Sequence, residues 1–144
     1  MKRLIITLLL IALLAPSVNA AKSVDDQKII TIDDDINDDF FVSGDQITIN
    51  GDINGDLFAA GGEIVVNGNV MGDAYIVGGN VTVNGKITGG LILGAGKAAV
   101  SGKTGKILAG CGDLAVKGNT EKIIAFAGNV KIFPSSVVDG YAHI

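Results

Sequence analysis

Short apolar runs alternate with glycine- and asparagine-bearing turns at a fixed spacing along most of the chain. Asp52 to Gly68 reads DINGDLFAAGGEIVVNG, and Asn69 to Gly85 reads NVMGDAYIVGGNVTVNG. The preceding segment, Asp35 to Gly51, and the following one, Lys86 to Gly102, have the same length of 17 residues and align without gaps. Two further copies, Lys103 to Gly118 and Asn119 to Pro134, are each one residue shorter, and a partial copy begins at Ser135. Ile30-Thr31-Ile32 matches Ile47-Thr48-Ile49, so a half copy precedes the first full one.

Each copy holds two β-type runs, typified by Leu57–Ala60 and Glu63–Val66, and a shorter extended piece around Ile53. Gly61-Gly62 and Asn67-Gly68 separate them with turn chemistry. Asn-Gly between β-runs is also a strong hairpin signal, so an antiparallel meander competes with a solenoid. The fixed period decides between them. In a solenoid each residue stacks on its equivalent about 4.8 Å away, which favours the same residue type at the same repeat position. A meander gains nothing from a constant period. The predicted fold is an all-β, right-handed parallel β-helix (β-solenoid) of about six short coils of 16–17 residues, roughly 30 Å long.

The columns that follow from this stacking name the core. Ile47, Ile64 and Val81 form one inward ladder, continued by Ala98, Leu114 and Val130. Ile49, Val66, Val83, Val100, Val116 and Ile132 form a second, and Ile53, Val70 and Ile87 a third. Between the first two lies an outward column of Thr48, Val65, Thr82, Ala99, Ala115 and Lys131. Two adjacent columns are both apolar: Phe40, Leu57, Ala74, Leu91, Ile107 and Ile123 beside Phe41, Phe58, Tyr75, Ile92, Leu108 and Ile124. Neighbouring strand residues point to opposite faces, so one column must lie outside. The expectation is an exposed interaction stripe formed by Phe41, Phe58, Tyr75, Ile92, Leu108 and Ile124, used for contact with a partner or a membrane.

The N-terminus reads as a targeting segment. Lys2 and Arg3 precede an apolar stretch, Leu4–Leu14, and Val18-Asn19-Ala20 supplies small residues for cleavage after Ala20. The predicted organisation is a signal peptide over 1–20, an acidic cap and half coil over 21–34, and a β-helix repeat domain over 35–144. The expected location is outside the cytoplasm, in the periplasm, the cell envelope or the medium.

Charge is distributed unevenly along the repeats. Ala21 to Gly85 carries 2 lysines and 12 acidic residues, a net of −10, whereas Lys86 to Ile144 carries 7 lysines and 3 acidic residues, a net of +4. Sequence order is spatial order in a solenoid, so one end of the rod is acidic and the other basic. Head-to-tail contact is then electrostatically favoured, and heterologous contacts of that kind propagate. Equally, Asp33, Asp34, Asp35, Asp38 and Asp39 read as guards of an open β edge. The C-terminal end, with Val137, Val138, Tyr141 and Ile144, carries no such guard.

Candidate chemistry is sparse. Arg3 is the only arginine, which argues against nucleic acid as a partner. His143 is the only histidine, and Cys111 falls in a column with Gly44, Gly61, Gly78, Ala95 and Ala127 that calls for a small residue at a turn. No disulfide can form within the chain and no catalytic pairing is visible. No cofactor is expected. Asp39, Asp56 and Asp73 share a column and are weak metal candidates, since stacked carboxylates repel unless a cation or hydrogen bonds neutralise them. The alternative is that each accepts backbone N–H bonds at its own turn. The coils carry no insertion long enough to build an enzymatic cleft.

The texture Gly-Asp-Leu-Phe-Ala-Ala-Gly-Gly (55–62) followed by Ile-Val-Val-Asn-Gly (64–68), repeated from Ile30 to Ile144, resembles the bactofilins, and most of all the exported proteins described as polymer-forming cytoskeletal. The resemblance implies a parallel β-helix that self-assembles end to end into filaments without nucleotide and acts as a membrane-associated scaffold. Bactofilins work in the cytoplasm, and the export signal departs from that pattern. The expected function is a non-enzymatic exported scaffold that forms homo-oligomers or filaments, or docks to envelope partners, through the helix ends and the apolar stripe. The alternative is a surface module that binds polysaccharide, where Phe58 and Tyr75 share a column, or divalent cations.

Overall fold

The computed structural model describes residues 22–133 and 142–143, with side chains over 28–133. The expected signal segment lies outside the described residues. Eight strands form one parallel sheet in sequence order: β1 (Lys22–Ile32), β2 (Phe40–Ile49), β3 (Leu57–Val66), β4 (Ala74–Val83), β5 (Ile87–Val100), β6 (Thr104–Val116), β7 (Thr120–Ile132) and β8 (Ala142–His143). Each strand pairs only with the strand one winding before and one winding after it. The chain is a parallel β-solenoid of about six turns, with no helix among the described residues.

The register reproduces the repeat. Phe40 pairs with Leu57, Leu57 with Ala74 and Ala74 with Leu91, each step covering one 17-residue copy. Leu91 then pairs with Ile107 and Ile107 with Ile123, in the shorter copies. The missing residue is lost at a corner, where the register shifts between Ile87 and Gly90. A corner absorbs a deletion because no side chain there is committed to the core, whereas a one-residue slip within a strand would turn every side chain to the wrong face.

Each winding has three sides. The first is the run Phe40–Ser43 and its equivalents. The second is Gln46–Ile49 and its equivalents. The third is a single bridge that stacks Ile36 on Ile53, Val70 and Ile87. The long strands bend at Gly44-Asp45, where the ladder skips one residue. Five inward columns fill the interior, among them Phe40, Ile47, Ile49, Ile53, Leu57, Ile64, Leu91 and Ile107, all fully buried. Volumes compensate within a winding: Leu57 is followed inward by Ala59, Ala74 by Ile76, and Ile107 by Ala109. Such compensation keeps the cross-section constant at close-packed density.

Val116 and the ladder residues before it are buried as the pattern predicts, but Ile132 is not a core residue. It keeps its register on Val116, yet it is 38% exposed. The cause is its place at the end of the ladder. β8 pairs only with Ile123 and Ile124, on the first side, so no described strand covers Ile132 on the second.

The third ladder changes character where the copies shorten. Its aliphatic run ends at Ile87 and continues as Thr104 and Thr120, both buried. Thr120 Oγ1 reaches the Gly105 and Lys122 carbonyls at 3.4 Å. Thr104 Oγ1 is buried with no hydrogen-bond partner among the described residues. A buried hydroxyl without a partner costs about 1–3 kcal/mol. Thr104→Val, nearly equal in volume and matching the aliphatic residues below it, is therefore expected to stabilise the fold by about 1 kcal/mol. A urea denaturation midpoint no higher than that of the parent would contradict this.

Candidate interaction surface

Asparagine and aspartate ladders hold the corners from outside. Asn84 Nδ2 donates to Asn67 Oδ1 at 2.9 Å, and Asn67 Nδ2 donates to Asn50 Oδ1 at 2.8 Å. Asn50 Nδ2 donates in turn to Asp33 Oδ1 at 2.7 Å. The acidic segment before β2 is thus the first rung of this ladder. It is the first described winding of the third side and carries Ile36, which stacks on Ile53.

Asp39, Asp56 and Asp73 form another ladder, and its bonds run between windings rather than within one turn. Asp39 Oδ1 accepts the Asp56 N–H at 2.8 Å, Asp56 Oδ1 accepts the Asp73 N–H at 2.8 Å, and Asp73 Oδ1 accepts the Gly90 N–H at 2.7 Å. Each carboxylate satisfies a corner amide that the parallel ladder leaves unpaired. Among the described residues no group of three His, Cys, Asp or Glu is arranged to hold a metal ion. Because Asn keeps the accepting oxygen, Asp56→Asn should leave stability within about 0.5 kcal/mol, whereas Asp56→Ala should cost about 1–2 kcal/mol. Equal losses in the two variants, read by thermal melts, would show that charge rather than the Oδ1 acceptor matters there.

The two apolar columns of the first side separate as alternation requires. Phe40, Leu57, Ala74, Leu91, Ile107 and Ile123 point inward and are fully buried. Phe41, Tyr75 and Leu108 are exposed at 40%, 38% and 37%, with Phe58, Ile92 and Ile124 half-buried between them. A second outward column runs beside the first: Ser43, Ala60, Val77, Gly94, Gly110 and Phe126. Val77 and Phe126 project from it, Phe126 with 74% of its surface exposed. The first side is therefore an apolar face two columns wide and six rungs long, interrupted by Ser43 and the Tyr75 hydroxyl. Nothing in the repeat texture singled out Phe126, because its column otherwise holds serine, alanine, two glycines and one valine.

The aromatic part of the face is self-stacked. Phe41 and Phe58 lie 4.4 Å apart between ring centroids at 4°, and Phe58 and Tyr75 lie 4.8 Å apart at 2°. Both faces of the Phe58 ring are covered by its neighbours. The stack presents ring edges outward, so Phe58 and Tyr75 do not form the flat platform that sugar stacking needs.

A second surface feature lies on the second side, near the C-terminal end. Small outward residues at Ala99 and Ala115 leave an open depression of about 490 Å³. It is flanked by Asn80, Lys97, Asp113 and Asn129 on one margin and by Thr82 and Lys131 on the other. Asn129 Nδ2 donates to Asp113 Oδ1 at 2.8 Å. The signal for it was the narrowing of the outward column from Thr48, Val65 and Thr82 to two alanines. Cys111 sits at the corner between the first and second sides, partly buried. Burial, with Asp113 adding its negative charge, pushes the Cys111 thiol above its ordinary pKa, which keeps it protonated and unreactive at neutral pH.

These surfaces belong to a parallel β-solenoid whose first side exposes two columns rich in apolar residues. No family model, curated protein or solved structure matches the chain.

Proposed function

We propose that the protein is a non-enzymatic, exported structural scaffold of the bactofilin-like kind that associates with itself. The observation that carries this reading is the apolar first side, where Phe41, Tyr75, Val77, Leu108 and Phe126 stand exposed along six windings, since an apolar patch of a few hundred Å² often marks a contact surface. The lengthwise charge asymmetry supports it, because it gives the rod two ends of opposite sign. Strand edges support it as well: among the described residues β1 pairs on one side only and β7 meets a following strand only at Ile123 and Ile124, and an open edge accepts a further strand.

Negative-stain electron microscopy and sedimentation of the purified protein test the proposal. Filaments or ordered oligomers are expected at micromolar concentration, and raising the salt should weaken contacts that depend on the two charged ends. A monomer at every concentration would overturn it.

A second reading, binding of an extended polysaccharide, draws on the depression beside Asn80, Lys97, Asp113 and Asn129. Its margin offers polar groups once per winding, about 4.8 Å apart, close to the length of a sugar unit. Retarded migration in gels containing cell-surface polysaccharide would favour it, and unchanged migration would remove it.

A further inference from the structure

The apolar side and the charge gradient point to one arrangement when taken together. We propose that two copies of the solenoid pair face to face along the first side with their axes antiparallel, related by a two-fold axis between the Tyr75 and Ile92 rungs. This deepens the self-association proposed above and rests on it. A two-fold axis along the strand direction places each outward column opposite itself in the partner and reverses the rung order.

Three features of the face fit that operation. In the second outward column, Val77 falls opposite Gly94, Ala60 opposite Gly110, and the projecting Phe126 opposite Ser43. Within this column each larger side chain meets a small one, while the first column sets Phe41 opposite Ile124, Phe58 opposite Leu108 and Tyr75 opposite Ile92, apolar on apolar. Gly110 has open space around it, since a Cβ there would meet nothing within 4 Å. At the margin of the face, the column of Asp39, Asp56 and Asp73 continues as Gly90, Lys106 and Lys122. Reversal sets Asp39 opposite Lys122 and Asp56 opposite Lys106. Among the described side chains, residues 28–85, with 1 lysine and 10 acidic residues, lie against residues 86–133, with 7 lysines and 2 acidic residues. A parallel pair, with the two-fold along the rod, would instead set acid against acid and crowd the two Phe126 side chains at one end.

The size of the face sets the strength of the contact. Six rungs at about 4.8 Å and two columns give a flat area on the order of 300 Å² per copy. That is below the ~800 Å² per partner of a stable interface. The pair is accordingly a weak dimer, suited to reinforcing contacts made elsewhere in an assembly.

Cross-linking reads the register. In a Cys111→Ser background, Ala60→Cys and Gly110→Cys lie three windings apart within a chain, roughly 14 Å, but face each other across an antiparallel pair. A bis-maleimide of about 10 Å reach, matching the gap between packed sheets, should convert the double variant to covalent dimer and leave both single variants monomeric. Sedimentation of the uncross-linked protein is run alongside. A dimer from Ala60→Cys alone would mean parallel pairing and overturn the proposal. Assembly in sedimentation with no cross-linked dimer would also overturn it, leaving self-association through the ends intact. Absence of any association would remove both.

Discussion

Gly85→Ala is expected to cost about 4 kcal/mol or more and to prevent accumulation of folded protein, while the same change at Gly110 leaves the fold intact. Gly51, Gly68, Gly85, Gly102 and Gly118 stack in one column at the corner after the second side. A Cβ built on Gly85 would fall onto the Gly68 carbonyl oxygen of the winding below, and one built on Gly68 onto the Gly51 carbonyl. The clash is with backbone that is itself hydrogen-bonded, since the Gly68 N–H donates to the Ile49 carbonyl at 3.2 Å, and Gly85 is tied in the same way to Val66. Relief would require the windings to move apart and to give up ladder bonds on both sides. Losses of that size arise from few mechanisms, and backbone collision is one of them. Gly110 lies in an exposed column with no neighbour within reach of a Cβ. Gly110→Ala there reduces the freedom of the unfolded chain and should stabilise by about 0.4–1 kcal/mol. Chemical denaturation of the pair checks both signs at once. Similar behaviour of the two variants would refute the account of the corner column.

Leu91→Ala should destabilise the solenoid by about 3 kcal/mol, and Ile132→Ala by under ~1 kcal/mol. Both residues sit in apolar ladders that the repeat identifies equally well. Leu91 is fully buried at the centre of the stack, with Ala74 below it and Ile107 above. Truncating it opens a cavity that neighbours on both adjacent windings cannot close without breaking register. Ile132, at the end of its ladder, is already partly in water, and its loss removes only modest contact. Urea midpoints with unchanged slopes would confirm that the two effects are on stability alone. A cost at Ile132 equal to that at Leu91 would mean that further chain covers this end of the second side.

Much of the architecture is legible in the residues because parallel stacking copies its constraints. A position that faces the interior in one winding faces it in all, so Ile64, Val81 and Leu114 announce one another. The stripe is legible for the same reason: Phe41 through Ile124 recur at constant spacing next to a second apolar column. The expectation placed the Phe41 column outside, and its phase relative to the next side comes from the corner. Inward residues on the first side are Phe40 and Val42, and on the second Ile47 and Ile49. The parity changes across the Gly44-Asp45 corner, where one residue is skipped in the ladder. Phase therefore does not carry from one side to the next. The role of Asp39, Asp56 and Asp73 was legible only in part. Their column was evident, but their acceptance of amides from the following winding depends on how two corners are offset in space.

The sequence by itself determined the period, the parallel register, the identity of the ladders and the acidic-to-basic progression along the rod. Each of these is a one-dimensional property, and in a solenoid one dimension of sequence maps directly onto one axis of structure. Tertiary structure alone decided that no described strand covers Ile132 at the end of its ladder, and that Phe126 projects from its column beside Gly110. These depend on where the chain bends and where the stack stops. Corners and ends are the places at which a repeating pattern carries no information about its surroundings.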